Sequence, residues 1–289
     1  MEEKYSAASV SAESFKERSQ KVRALTDPDM RFIPFFGSSE WIRFDSMHPG
    51  VLAEKYNRSY RPYFMGQAGA ASLSQYFGMQ QITSELENKQ AVFVISPQWF
   101  TKEDQDPVTF QTYFNNDQLT AFLENQSGDV ASQYAANRLL KQNPSVPMKG
   151  IVEKLAKNEQ LSDFDHSIIT ASAEFNERQA ALFGQFSIRG RLKYKDHIEK
   201  YLSSLPDQFS YEELENIARK DAEENTTNND LGMDNHFYNT QLKKDLKKWE
   251  EYQKNYNFLQ SREYNDLQLV LNQFAKSKVN VLFVFQPVN

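Results

Sequence analysis

The sequence has 289 residues and a formal charge of −6, from 33 basic and 39 acidic side chains. This acidic balance argues against a dedicated nucleic-acid binder, which needs a basic face to displace counterions from phosphates. The absence of cysteine excludes disulfides, thiolate metal sites and a cysteine nucleophile. An apolar content of 39% and a charged content of 25% are typical of a folded globular chain. No apolar run reaches the roughly 18 residues that a membrane span requires.

Residues 1–28 are polar and are predicted to form a solvated helix. Beyond them, four short apolar runs each end at small, polar or proline residues, which is typical of buried parallel strands. The predicted strands are residues 31–36, 61–65, 90–95 and 279–285. Pro34 interrupts the first run, which predicts an irregular ladder or an edge position for that strand.

Helical patterns separate the first three strands, at residues 49–56 and 72–86. In the second pattern, Leu73, Phe77 and Ile82 fall on or near one face. Strands that alternate with helices predict a parallel sheet with right-handed crossovers, and therefore an α/β fold class with flanking helices.

The stretch from residue 101 to residue 277 shows helical patterns and no convincing strand. These patterns cover residues 117–123, 130–140, 164–186, 211–224, 240–252 and 264–274. We therefore predict an N-terminal helix (1–28), an α/β core (29–100 and 278–289) and a large helical insertion (101–277). The insertion could form a substrate-facing cap or a purely structural subdomain.

Three of the predicted strands end in residues that suit acyl chemistry, at the sheet edge where open α/β folds bind ligands. Gly37-Ser38-Ser39 places a serine on a tight turn beside a helix start, which suits a nucleophile but also an ordinary helix cap. Residues 66–71 are mostly small and allow close approach of a ligand to the backbone around Gly69. Gln98 follows the third strand and can present an amide.

In this order, the three turns resemble the layout of the SGNH-type hydrolases, which implies an SGNH-like, flavodoxin-like parallel sheet. The residue sequence resembles one family more specifically, the DltD family of D-alanyl-lipoteichoic acid biosynthesis proteins. The segments that carry this resemblance are residues 36–49, 64–72, 94–100 and 280–289. The resemblance implies Ser39 as nucleophile. It implies an oxyanion hole made by the N–H groups of Ser39 and Gly69 and the side chain of Gln98. Ser38 and His48 are assigned possible structural support. No metal and no cofactor are expected.

The sequence departs from the family pattern in several places. Gln98 stands where most SGNH enzymes have Asn, and Ser38 where many have Asp, which suggests a site tuned away from ordinary lipid or carbohydrate esters. A membrane-anchoring N-terminal helix and a late Asp-x-x-His are both missing. Asp163 and His166 have that spacing, but they lie too early and predict a surface pair. We therefore expect a fragment of a longer protein, without its general base.

The resemblance implies a role in teichoic acid D-alanylation at the extracellular face of the membrane of Gram-positive bacteria. The expected chemistry is serine-dependent D-alanyl transfer, or cleavage of a D-alanyl ester or thioester. Expected partners are the D-alanyl carrier protein or a membrane acyltransferase, and lipoteichoic acid; contact with the membrane would run only through the missing anchor. The alternatives are a non-catalytic docking module for the carrier or the polymer, and a general SGNH esterase.

A polyanionic polymer and a net acidic chain repel each other, so binding of the polymer would require a local basic groove. The helix of residues 243–249 is rich in lysine and could touch an anionic polymer or lipid head groups, although a solvated surface is the preferred interpretation. Two acidic groups, residues 221–224 and the trio Glu103, Asp104 and Asp106, lack the spacing of a calcium loop and are interpreted as solvated charge.

Overall fold

A computed structural model describes residues 10–183, 193–251 and 254–286. Its four strands form one all-parallel sheet in the order β2-β1-β3-β4. The strands are β1 (Phe32–Gly37), β2 (Arg61–Gly66), β3 (Gln90–Ile95) and β4 (Asn280–Phe285). The predicted strands and the α/β fold class are therefore confirmed. The predicted burial is wrong for β4, which is mostly exposed because it lies at the edge of the sheet with a neighbouring strand on one side only. Residues 1–9 of the predicted N-terminal helix and residues 287–289 of the predicted core lie outside the described residues.

Strand β1 lies inside the sheet, between β2 and β3. Of the two alternatives predicted for Pro34, the edge position is therefore wrong and the irregular ladder is confirmed. The pairing of β1 with β3 covers only Phe35 and Phe36, directly after the proline, because proline has no N–H to donate to the ladder. The other side of β1 is fully paired, and Gly37 is in register with Gly66, so β1 and β2 end at the same level.

Helices cover the sheet and fill the chain between β3 and β4. The helices before β3 are α1 (Ala12–Lys16), α2 (Arg18–Leu25), α3 (Pro49–Lys55), α4 (Ser72–Gln80) and α5 (Thr83–Leu86). Those after β3 are α6 (Pro107–Tyr113), α7 (Asn116–Asn125), α8 (Val130–Gln142), α9 (Lys149–Ala156), α10 (Asp163–Phe183), α11 (Lys200–Leu202), α12 (Tyr211–Asn225), α13 (Asn235–Phe237), α14 (Leu246–Trp249) and α15 (Glu263–Lys276). Within the described ranges, none of the helices is both long and apolar enough to cross a membrane.

Several helices differ from the prediction in extent. The predicted helix over 72–86 is divided into α4 and α5 at Ile82, which leaves helical geometry (φ −135°) and is completely buried. A π-helical turn (Tyr238–Leu242) and the short α14 replace a continuous helix over 240–252, of which residue 252 lies outside the described residues. Helices α6 and α9 were not predicted.

Helix α4 is buried on every side. The predicted apolar face is present, since Leu73 and Phe77 lie in the main hydrophobic core. The helix packs against α7 and α15, and the buried amides of Gln75 and Gln80 are hydrogen-bonded. The same core contains Phe93 of β3 and Phe274 of α15, whose rings meet edge to face at 5.8 Å. Sheet and insertion are therefore packed on one another at the level of these rings.

Candidate active site

Ser39 begins a short 3₁₀ turn (Ser39–Ile42) directly after β1. The residue is exposed. Neither its hydroxyl nor its N–H donates a hydrogen bond to another residue in the described part of the chain. An exposed hydroxyl at the carboxyl end of an internal parallel strand is in the position where α/β folds bind ligands.

Ser38 is buried and fixes the first turn to the second. Its hydroxyl donates to the carbonyl of Gln67 at 3.1 Å. Gly66 lies against the carbonyl oxygen of Ser38, which a Cβ on that glycine would approach to 2.6 Å. Only glycine allows this approach without a shift of the backbone. The two turns therefore lie side by side, with Ser39 on one of them.

Gly69 is exposed on the second turn and has φ +77°, in the left-handed region that favours glycine. Its carbonyl accepts a hydrogen bond from the Gln105 side chain at 2.9 Å. The neighbouring carbonyl of Ala68 accepts one from the Tyr113 hydroxyl at 2.8 Å. The N–H of Gly69 donates to none of the described residues. The turn is thus held through its carbonyls while this N–H stays available.

Gln98 lies on the third turn, a 3₁₀ turn (Pro97–Trp99) that follows β3. It is exposed, and its amide bonds to no other described residue. The ring of Trp99 packs edge-on against Phe93 at 6.2 Å and holds this turn on the sheet. Because β1 lies between β2 and β3, the turn of Ser39 lies between the turns of Gly69 and Gln98. The catalytic roles of the three residues remain predictions.

Gln75 of α4 connects the carboxyl ends of β1 and β2, and sequence reasoning missed it. Its Nε2 donates to the carbonyls of Met65, at 2.9 Å, and of Gly37. The side chain is buried, so the amide joins the two carbonyls in the protein interior. A glutamine within a helical pattern carries no signal for this role, because its partners lie on strands elsewhere in the chain.

Glu40 was also missed, although it follows Ser39 directly. Its carboxyl folds back over Gly37, where a Cβ would overlap it. Oε1 accepts the N–H of Ser38 at 2.5 Å, and Oε2 is buried without a partner among the described residues. Burial raises the pKa of Glu40 above its ordinary value, and the hydrogen bond from Ser38 only partly opposes this. The carboxyl next to Ser39 therefore keeps its proton to a higher pH than an ordinary glutamate does.

A family model described as DltD protein matches residues 7–289. The chain belongs to the DltD family. It is 35% identical to Protein DltD of Lacticaseibacillus rhamnosus, over 98% of this chain and 66% of the relative. It is 25% identical to Protein DltD of Bacillus subtilis (strain 168), over 99% of this chain and 72% of the relative. Protein DltD of Staphylococcus aureus is also 25% identical, over 90% of this chain and 64% of the relative. The chain thus spans about two thirds of the length of these relatives.

In this DltD chain, His48 caps the N-terminus of α3, where Nδ1 accepts the N–H of Gly50 at 3.3 Å. Its ring lies 3.8 Å from that of Phe44 and 4.7 Å from that of Phe64, between centroids. Burial lowers the pKa of His48 to about 3, so the ring is neutral near pH 7. Its assignment to structural support remains a prediction.

Asp163 and His166 are both exposed at the start of α10, as expected for surface residues. No ion pair joins them in the structure, however, and His166 instead lines a surface cavity with Leu155 and Gln126. Asp104 was interpreted as solvated charge, but it is half-buried and paired with three cations. No group of three or more histidine, aspartate and glutamate side chains in the described ranges could hold a metal ion.

Proposed function

We propose that this chain carries the reactive serine of a D-alanyl transfer or cleavage reaction in teichoic acid D-alanylation, at the extracellular face of the membrane. The observation that carries the proposal is the position of Ser39. It is exposed on the central one of three adjoining turns, with Gly69 and Gln98 exposed on the other two. Membership of the DltD family supports the choice of pathway.

In the proposed reaction, the Ser39 hydroxyl attacks the carbonyl carbon of a D-alanyl ester or thioester, and its proton passes to a general base. We assign that base to none of the described residues. The oxyanion accepts hydrogen bonds from the N–H groups of Ser39 and Gly69 and from the amide of Gln98. Its collapse breaks the bond to the leaving oxygen or sulfur, which takes up a proton. A polymer hydroxyl, or water in the cleavage reaction, then attacks the acyl-serine and releases Ser39.

The support beneath the turns favours such a role. Stabilisation of an oxyanion depends on donors that are fixed before the reaction. Gln75 holds the strand ends together, Ser38 joins two turns, and Gln105 holds the carbonyl of Gly69. These contacts lie on or within a few residues of Ser39 and Gly69 and leave the N–H groups of both without a bond to any residue that the structure describes.

The test uses the full-length protein, so that a general base outside the described residues is present, and measures its intact mass after incubation with a D-alanyl thioester. We expect wild type to gain one D-alanyl group and Ser39→Ala to gain none, because the variant lacks the attacking oxygen. The exposed Ser203 is a matched control, and Ser203→Ala should react as wild type does. If Ser39→Ala gains the D-alanyl group to the same extent as wild type, Ser39 is not the nucleophile.

A docking function is the second candidate, because none of the described histidines is hydrogen-bonded to Ser39. In that case the D-alanyl carrier protein or lipoteichoic acid would bind without reacting. Cells that lack their own DltD distinguish the two functions. If Ser39→Ala restores D-alanylation of teichoic acid as well as wild type does, docking replaces catalysis.

A further inference from the structure

A small cavity opens between helix α8 and the start of α15, outside the three turns. Its volume is about 280 Å³, and it is lined by Tyr134, Asn137, Arg138, Lys141, Arg262 and Asn265. This is slightly below the roughly 300–1,000 Å³ typical of pockets for whole small molecules. Three of the six lining side chains are cations and the other three are polar or amphipathic. Both the size and the lining suit one anionic group.

The cations around the cavity outnumber the carboxylates that pair with them. Arg138 is only 5% exposed and is held by both oxygens of Asp266, at 2.8 and 2.9 Å. Arg138, Lys141 and Arg262 all converge on one carboxylate, that of Asp104, with the Arg262 contact at 2.7 Å. Three cations therefore share two carboxylates, which leaves one positive charge in excess.

A third carboxyl nearby does not cancel this excess. Burial raises the pKa of Glu263 to about 8, so this group is neutral near pH 7. Lys141 and Arg262 have half or more of their side chains exposed, at 50% and 58%, so both can reach an incoming anion. The convergence of three cations on a single carboxylate is an arrangement that a phosphate, with more oxygens to offer, can also accept.

The cavity is physically connected to the proposed reactive site. Glu263, at the start of α15, accepts a hydrogen bond from the N–H of Ser72 at 2.9 Å. Ser72 directly follows the turn that carries Gly69. Asp104 lies on the segment that follows Gln98, and the next residue, Gln105, bonds to the carbonyl of Gly69. A ligand held in the cavity would therefore lie against the segments that support two of the three turns.

We propose that this cavity binds a phosphodiester group of the polyanionic acceptor, so that a neighbouring hydroxyl of the polymer can approach Ser39. This inference rests on the proposed function. A polyol phosphate chain repeats one negatively charged group, and the three cations of the lining match that group. The phosphopantetheine arm of a carrier protein is also attached through a phosphodiester, but it carries that charge once and continues as an uncharged arm, whereas three cations line this cavity. The cavity supplies the local basic groove that a net acidic chain requires for such a polymer.

The test measures binding of a poly(glycerol phosphate) oligomer by calorimetry at low and high salt. Arg262→Gln and Lys141→Gln should each weaken binding about tenfold, since each removes a charged hydrogen bond from the rim. Lys220→Gln makes the same charge change on the exposed face of α12 and should have no effect. Wild-type affinity should fall as salt rises. Wild-type affinity in both rim variants would overturn the proposal.

A substitution at Asp104 separates a ligand site from an ion network that is only structural. Asp104→Asn removes the competing carboxylate and should strengthen binding about tenfold. A purely structural network would lose stability on this change without any gain in affinity, which would contradict the proposal. If the rim variants instead lose binding of phosphopantetheinylated carrier protein and keep that of the oligomer, the polymer assignment is wrong.

The result can be separated from the reaction at Ser39. Ser39→Ala should bind the oligomer as wild type does, because it leaves the cavity intact. If no D-alanyl adduct forms but the rim variants lose binding, the proposed reaction fails and the phosphodiester site stands. If the adduct forms and the rim variants bind normally, the phosphodiester site fails alone.

Discussion

Replacing Glu263 by glutamine should flatten the dependence of the protein's stability on pH. Burial raises the pKa of Glu263 from 4.5 to about 8, although its Oε1 accepts the N–H of Ser72 at 2.9 Å. Between these two values the native state keeps a proton that the unfolded state has lost. The contribution of this group to stability is therefore complete below pH 4.5 and is lost as the pH rises to 8.

The size of the effect follows from the two pKa values. At about 1.4 kcal/mol per pH unit, the interval corresponds to a loss of at most roughly 5 kcal/mol. Relaxation around the ionised carboxylate and entry of water reduce this to about 2–5 kcal/mol. Glutamine keeps an oxygen that can accept the N–H of Ser72 but cannot ionise, so this loss should be absent in Glu263→Gln.

Urea unfolding at several pH values between 4.5 and 8 measures the effect as the difference between variant and wild type. The exposed Glu223 of α12 provides the control, because Glu223→Gln makes the same chemical change outside the core. It should show the pH dependence of wild type. If Glu263→Gln also shows that dependence, then Glu263 is already ionised in the native protein and the reasoning from burial is wrong.

Four further substitutions test the supports of the fold by urea unfolding. Gly37→Ala should lower the free energy of unfolding by about 1–3 kcal/mol, because its Cβ overlaps the Glu40 carboxyl. Gly150 lies in a helix with open space around it, so Gly150→Ala should instead raise the free energy of unfolding by about 0.5–1 kcal/mol. Equal effects of Gly37→Ala and Gly150→Ala would contradict the steric argument. Gln75→Leu should cost about 2–5 kcal/mol, because two buried carbonyls lose their donor, and unchanged stability would show that water replaces it. Burial lowers the pKa of Lys21 to about 7 from its ordinary 10.5. The free energy of unfolding of wild type should therefore rise between pH 7 and 10.5, while that of Lys21→Met should not. If the two free energies change in parallel with pH, Lys21 is not neutral in the native protein.

The sequence alone was sufficient for the strands and the family. Each strand is a nearly continuous apolar run with a clear stop, and such a run has few alternatives to a buried parallel strand. The motifs around Ser39, Gly69 and Gln98 are local in sequence, so the resemblance to DltD could be seen without a structure, and the family model confirms it. Whether the strand that carries Pro34 lies inside the sheet or at its edge could not be predicted, because interior and edge strands have similar local patterns.

The supporting contacts of the site could not be predicted. Gln75 and Gly37 are 38 residues apart, and Arg138 and Asp266 are 128 apart, so no local pattern links either pair. The pKa of Glu263 depends on burial by helices from distant parts of the chain. Local sequence determined which segments are strands and which residues stand at their ends, because both depend on nearest neighbours. Only the packing of the helices on the sheet decided which polar groups are buried and which cations share a carboxylate, because desolvation and charge pairing depend on distance in space.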